Sequence, residues 1–269
     1  MNTPPVFFIS HGAPTFAVEP GALGVLLHTW GSQLTNIKAV LVVSPHWQTT
    51  DVQVMTTVQP ETMHDFGGFS SNLYALQYLA KGQPDMAKDA SQLLNAAGFA
   101  TQLNDHRGLD HGAWIPLMHL LPKADVPVFQ VSMPLTLNTQ QAVKLGQALA
   151  SIRNQGVLIV ASGSMTHNLH EFRPSAKIPE VYVQEFAAWV RSKVLAHETN
   201  SLMQYRTEAP HAERAHPSEE HFLPLLIAMG AQGNSGTAQL LDGGITNGVL
   251  SMDSYVWGMP HRANHPNQA

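Results

Sequence analysis

Histidine dominates the chemistry this chain can offer. Its 269 residues hold 15 histidines against 14 Lys plus Arg, and no cysteine. Disulfides and thiolate metal sites are therefore excluded, and any transition metal would rest on imidazole or carboxylate ligands. Three apolar runs each hand over to a histidine. "PVFFISHGAP" runs from Val6 to Ile9, then Ser10 and His11. "KAVLVVSPHWQ" runs from Ala39 to Val43, stops at Ser44-Pro45 and delivers His46. "GVLIVASGSMTHN" ends at His167. Strands that end on histidines can bring distant imidazoles to one crevice.

Each histidine has a bland reading beside the chemical one. His11, followed by Gly12, could be a loop histidine bonded to backbone; its pairing with the same pattern at His46 favours a metal ligand. Trp47 could be a wall beside the site, but reads better as core. His221, in "HPSEEHFLPLL", falls in the first turn of a helix expected at Ser218 to Met229, where the helix N-terminus disfavours a cationic ring. A neutral, metal-binding imidazole fits there; a surface histidine beside Glu219 and Glu220 is the alternative, and either glutamate could itself be a ligand. His167 follows a flexible Gly-Ser segment and could be a base, a ligand or a capped loop histidine. His111, in "GLDHGAW", precedes a helix, with Asp110 placed to orient it. "HDFGGF", His64 to Phe69, reads as the wall of an aromatic pocket or as a solvent loop with a small apolar anchor. His28, His119, His197, His261 and His265 read as ordinary helix or tail histidines. His106, His170, His211 and His216 carry no assignment. No G-x-S-x-G, H-E-x-x-H or G-x-G-x-x-G motif occurs, which removes the support for a serine hydrolase, a zincin or a dinucleotide site.

The elements that must position these rings alternate. Strands are expected at 6–9, 39–43, 52–58, 100–103, 126–131, 157–161, 238–241 and 249–256. Helical patterns lie at 84–97, 113–121, 138–153, 179–196 and 218–229, with capping signals at Pro84, Asn138, Gly98 and Gly156. Continuous apolar strands between helices predict an α/β fold, a single domain over residues 1–269 with a central, largely parallel or mixed sheet flanked by helices. The last two strands, with "DGGITNG" between them, are expected to be antiparallel. In such sheets ligands gather beyond the carboxyl ends of the strands, where His11, His46 and His167 all fall.

Composition sets the outer bounds. Charged residues make up 12% of the chain, the net charge is −5, and no Lys/Arg run occurs. Nucleic acid and anionic membranes are poor partners for such a chain. No apolar stretch approaches a bilayer span. The expectation is a cytoplasmic protein, a monomer or small homo-oligomer.

Taken in order, "FISHGAP", "VVSPHW", "HDFGGF", "LDHGAWIPL", "ASGSMTHNL" and "EEHFLPLL" resemble the class III extradiol ring-cleaving dioxygenases, and more narrowly their 4,5-DOPA dioxygenase-like branch, related to protocatechuate 4,5-dioxygenase catalytic subunits. These motifs span residues 8 to 228. The resemblance implies His11, His46 and His221 as metal ligands, with "EEHFLP" supplying an imidazole where protocatechuate relatives have a glutamate. It implies His167 as acid/base, within reach of the metal, and His111 as a second pocket histidine that contacts substrate or oxygen. It also implies Fe(II) for activity, with Zn(II) in purified protein, and a small aromatic diol and O2 as the reactants. A zinc-dependent hydrolase using the same histidines, or a metal-binding protein without activity, are the rival readings.

Overall fold

The computed structural model describes residues 3–260. The tail positions 261 and 265 lie outside them. Among the described residues ten strands form: β1 (Val6–Ser10), β2 (Ala39–Thr49), β3 (Val52–Met55), β4 (Thr101–Asn104), β5 (Val128–Pro134), β6 (Val157–Gly163), β7 (Gln239–Leu241), β8 (Ile245–Thr246), β9 (Leu250–Ser251) and β10 (Ser254–Trp257). Eight make one mixed sheet in the order β4-β3-β5-β2-β6-β1-β10-β7. Its centre, β5-β2-β6-β1, is parallel, and β10 pairs antiparallel with both β1 and β7. The apolar residues of these central strands are buried on both faces, as their unbroken runs require. Helices cover the sheet, among them Thr139–Leu149 packed against Leu223–Ala231, and Gly21–Gly31 packed against His111–Leu120. Among the described residues no helix is long and apolar enough to cross a membrane.

The α/β architecture agrees with the sequence expectation; several boundaries do not. The run at 249–256 splits into β9 and β10, and β9 leaves the main sheet to pair with β8. β3 ends at Met55 rather than at 58. The helix expected from Asn138 to 153 is helical only to Leu149; Asn138 forms a capping box with Gln141, and the last turn, Ala150–Gln155, tightens to a 3-10 helix ending at left-handed Gly156.

Two corrections bear on the histidines. β2 does not stop at Ser44-Pro45. It runs on to Thr49 across an irregularity in which β2 advances from Val43 to Gln48 while β5 advances only from Val131 to Met133. Pro45 fits there because a bulge demands no ladder N–H. The helix expected from Ser218 begins instead at Leu223, with Pro224 in its first turn. His221 therefore sits in the preceding turn, where the Phe222 and Leu223 amides donate to the Glu219 carbonyl.

Candidate active site

The parallel centre of the sheet places β1, β2 and β6 side by side with their carboxyl ends at one edge. His11 follows β1 directly, and its amide donates to the Gly163 carbonyl at the end of β6 (2.9 Å). Gly12 then turns the chain with φ +59°, and a Cβ there would press within 2.8 Å of the Met252 sulfur. His46 projects from the β2 bulge. Gly112 leaves room for it: a Cβ at that position would come within 2.9 Å of the His46 ring and closer still to Ser44 Oγ. His221 reaches the same edge from the turn before Leu223–Ala231; its carbonyl accepts from the Ser164 amide (2.9 Å).

One ring nitrogen each of His11, His46 and His221 lies within 4.8 Å of those of the other two. The ring centroids stand 5.0, 5.4 and 5.1 Å apart. His11 Nε2 and His46 Nε2 are 3.1 Å apart. Each ring also has an outer partner on its Nδ1 side. Ser162 Oγ is 2.9 Å from His11 Nδ1, Glu220 Oε1 is 2.9 Å from His221 Nδ1, and Asp65 Oδ2 is 4.0 Å from His46 Nδ1. In the tautomers that place the Nδ1 protons towards these outer partners, bare Nε2 lone pairs face one another, an arrangement that repels unless a cation lies between them. Two nitrogens bound about 2.0–2.1 Å from one ion sit roughly 3.0–3.4 Å apart, which matches the His11–His46 separation. His221 Nε2 is buried and has no hydrogen-bond partner. This donor set could hold a divalent transition metal. Burial pushes His11 and His221 well below the ordinary imidazole value, and neighbouring histidines add to it. Burial, with His111 adding to it, draws His46 down to about 4. All three rings are thus neutral and ready to ligate near pH 7.

His167 is not part of this trio. Its ring stacks on His221 at 3.4 Å between centroids and 10° between planes, with Glu220 completing a second possible ligand group. Burial lowers it to about 4, against the opposing Glu220 charge. The loop carrying it is pinned where the His167 amide donates to the Ala215 carbonyl (2.8 Å). His111 lies against His46, 3.9 Å between centroids.

The sequence places Asp110 as the residue that orients His111; the structure corrects this. Asp110 is fully buried and caps its helix through the Ala113 amide. It also accepts from Ser44 Oγ (2.8 Å), Gln130 Nε2 (2.8 Å) and Arg107 Nη2 (3.1 Å). The same Arg107 Nη2 donates to the His46 carbonyl (3.1 Å), so Asp110 braces the bulge, not the neighbouring ring. The ring of His111 instead meets Asp65. The His111 amide donates to Asp65 Oδ1 (2.9 Å), and Nδ1 stands 3.1 Å from the same oxygen, outside hydrogen-bond alignment. Burial opposes ionisation of Asp65, but His111 and His46 outweigh it and bring its carboxyl down to about 2. Asp65 and Ser162 escaped the sequence reading although both lie inside quoted motifs.

The rings of His11, His46, His111 and His167 open on a cavity of about 280 Å³ also lined by Pro14, Phe66, Phe69, Leu169 and Phe172. The aromatic-wall reading of "HDFGGF" therefore holds for Phe66 and Phe69; His64 turns away and bonds the Leu76 carbonyl (3.0 Å). Trp47 is core, with the Arg107 guanidinium 5.1 Å over its ring. Of the histidines left without assignment, His216 is fully buried and bonds the Met165 carbonyl (2.9 Å), and His211 bonds Glu185 on the surface.

Comparison with known proteins decides the family. Residues 26–251 match the catalytic LigB subunit of aromatic ring-opening dioxygenase. The chain belongs to this family. Four of the five clustered histidines fall inside the matched span, and His11 lies just upstream of it. The 4,5-DOPA dioxygenase extradiol of Beta vulgaris is 38% identical over 258 residues, covering 94% of this chain and 96% of that protein. The Escherichia coli K12 protein of the same name is 32% identical, covering 94% of each. A crystal structure of an uncharacterized protein from Escherichia coli K12 superposes with a TM-score of 0.76 at 27% identity, over 94% of this chain and 99% of that one. This LigB-family protein is an extradiol ring-cleaving dioxygenase, a metal-dependent class whose reaction joins an aromatic substrate to O2.

Proposed function

We propose that residues 1–269 form one catalytic domain that opens the ring of a catechol. Both atoms of O2 enter the product, a ring-opened semialdehyde. His11, His46 and His221 would hold the metal. The observation that carries this reading is the convergence of their ring nitrogens, each ring with a partner on its outer side and His221 Nε2 buried without one. Fe(II) held there supplies Lewis acidity that lowers the pKa of the diol hydroxyls, and a route for electrons from the ring to O2. Three imidazoles suit zinc as well as iron, so zinc is expected to compete for the protein during purification.

The other side chains define a sequence of proton movements. His167, neutral near pH 7, accepts a phenolic proton at its free ring nitrogen and returns it as the ring opens. Its stacking on His221 fixes its distance from the bound diol. His111, backed by Asp65, lines the same cavity and donates toward oxygen developing negative charge. Phe66 and Phe172 exclude water from the reacting carbons. Ser162, Glu220 and Asp65 hold the ligand rings in the orientation that binding requires.

The test is to load the protein with Fe(II) without oxygen, then admit oxygen with a panel of catechols. Oxygen uptake with formation of yellow semialdehyde is the expected result. Absence of uptake with every catechol, together with zinc-dependent hydrolysis under anaerobic conditions, would replace this reading with a hydrolase.

A further inference from the structure

The cavity is asymmetric. Part of its lining is imidazole, from His11, His46, His111 and His167; the rest is largely hydrocarbon, from Phe66, Phe69, Leu169 and Phe172. Phe66 and Phe69 meet edge to face (5.5 Å between centroids), and Leu169 and Phe172 line the same cavity from a separate segment of the chain. Leu169 is 57% exposed, a large apolar side chain left at the rim of a pocket. The charged residues closest in sequence to this lip are already engaged with one another. Arg214 forks onto Glu171 (2.8 and 2.7 Å), and Arg173 pairs with Glu180 (3.0 Å). Asp65, beside Phe66, is taken by His111. Among the described residues, the cavity wall therefore offers no Lys, Arg, Asp or Glu to a ligand.

We infer that the substrate is a catechol whose ring substituent is apolar, an alkyl or aryl group that lies between Phe66 and Phe172 with its end at Leu169. This rests on the proposed catechol dioxygenase reading and narrows it. A diol seated on the histidines leaves its substituent to the remaining lining, which is largely hydrocarbon. An ammonium or carboxylate there loses hydration without gaining a partner. An alkyl chain gains from leaving water, at about 0.8 kcal/mol or roughly fourfold per methylene. The amino-acid head group of DOPA, the compound in the names of the relatives, is thus a poor fit to this wall.

The experiment compares 4-methyl-, 4-ethyl- and 4-propylcatechol with 3,4-dihydroxyphenylacetate, dopamine and DOPA on the Fe(II)-loaded protein. Oxygen uptake gives kcat/KM, and tryptophan fluorescence under anaerobic conditions gives affinity. Both are expected to rise about fourfold per methylene, with 4-propylcatechol at least tenfold ahead of every charged compound. DOPA or 3,4-dihydroxyphenylacetate equalling 4-propylcatechol would overturn the inference. Unsubstituted catechol separates this failure from the other: if it too consumes no oxygen, the catechol reading fails and the narrower one with it. Phe172→Arg adds a second arm. It is expected to move the preference toward the carboxylate compound by tenfold or more; an unmoved ratio would remove the substituent from that wall.

Discussion

The two ends of the sheet bury basic side chains in opposite ways. At the amino end, Arg153 is 5% exposed, and every guanidinium nitrogen finds an oxygen: the Pro4, Ala231 and Gln232 carbonyls and Ser235 Oγ, at 2.7–3.1 Å. It ties the approach to β1 to the end of helix Leu223–Ala231, whose last carbonyls have no partner within the helix. At the carboxyl end, five histidines crowd together, their nitrogens face one another, and His221 Nε2 has no partner at all. Most polar groups buried for structure are satisfied by the chain itself, as the Arg153 guanidinium is. A group buried for chemistry is left for something the chain does not supply. Single buried groups without a partner also occur in the scaffold, as at Trp257 Nε1 and Tyr255 OH; what marks the site is that such a group stands in a cluster of imidazoles.

Removing a proposed ligand tests the contrast most severely. His11→Ala or His46→Ala is expected to empty the protein of metal after dialysis, read by elemental analysis. Turnover should fall on the order of 10³-fold or more, since the metal's charge stabilisation is worth several kcal/mol. Full metal content in either variant would move the centre elsewhere. His167→Ala is expected to keep its metal yet lose about 10² to 10⁴ in kcat, the usual worth of a positioned acid/base. Parent-level turnover in that variant would return His167 to a packing role against His221. A smaller effect is expected at the outer partner of His221. Glu220→Gln keeps the size and removes the charge, and should weaken metal affinity about 10- to 100-fold in chelator competition.

How much of this was legible in the chain follows from how far apart the partners lie. The histidines at strand ends were visible because a buried strand is a local pattern and the residue after it is read directly. The α/β alternation was visible for the same reason. Ser162 was not, because it meets His11 across 151 residues of sequence through the pairing of β1 with β6. Asp65 reaches His111 from 46 residues upstream, while the adjacent Asp110, the natural guess from spacing, is consumed by a buried network with Ser44, Gln130 and Arg107. The β2 bulge was hidden because Pro45 marks a strand end and a bulge equally well. The start of the last long helix was misplaced because two prolines, Pro217 and Pro224, both carry the signal for a first turn, and only the packing of 223–231 against the sheet chooses between them.

The amino end gives the converse test. Arg153→Met is expected to lower stability by about 2–4 kcal/mol in urea, since several buried oxygens lose their donor. Turnover per folded molecule should not change. Reduced kcat with unaltered stability would abolish the distinction between the two ends.

Acid provides the finest comparison, because it should act at one end only. An unfolded histidine titrates near 6.5. In the fold, burial draws His46 and His167 to about 4 and His216 to about 3. Between those values the unfolded chain binds more protons than the native one, so stability of the metal-free protein rises with pH. It is complete above about pH 6.5 and is lost as pH falls toward 4. Each ring contributes at most about 1.4 kcal/mol per pH unit. Arg153, drawn by burial only to about 10, keeps its charge throughout and adds no slope in this window. Urea midpoints measured from pH 7 to pH 4.5 should therefore show Arg153→Met displaced by a constant amount. His216→Gln, which retains a donor for the Met165 carbonyl, should flatten the acid limb by one ring's share. An unaltered limb in His216→Gln would mean that this histidine is already protonated within the fold, and that burial at the carboxyl end is less complete than its packing against Phe186 and Phe222 requires.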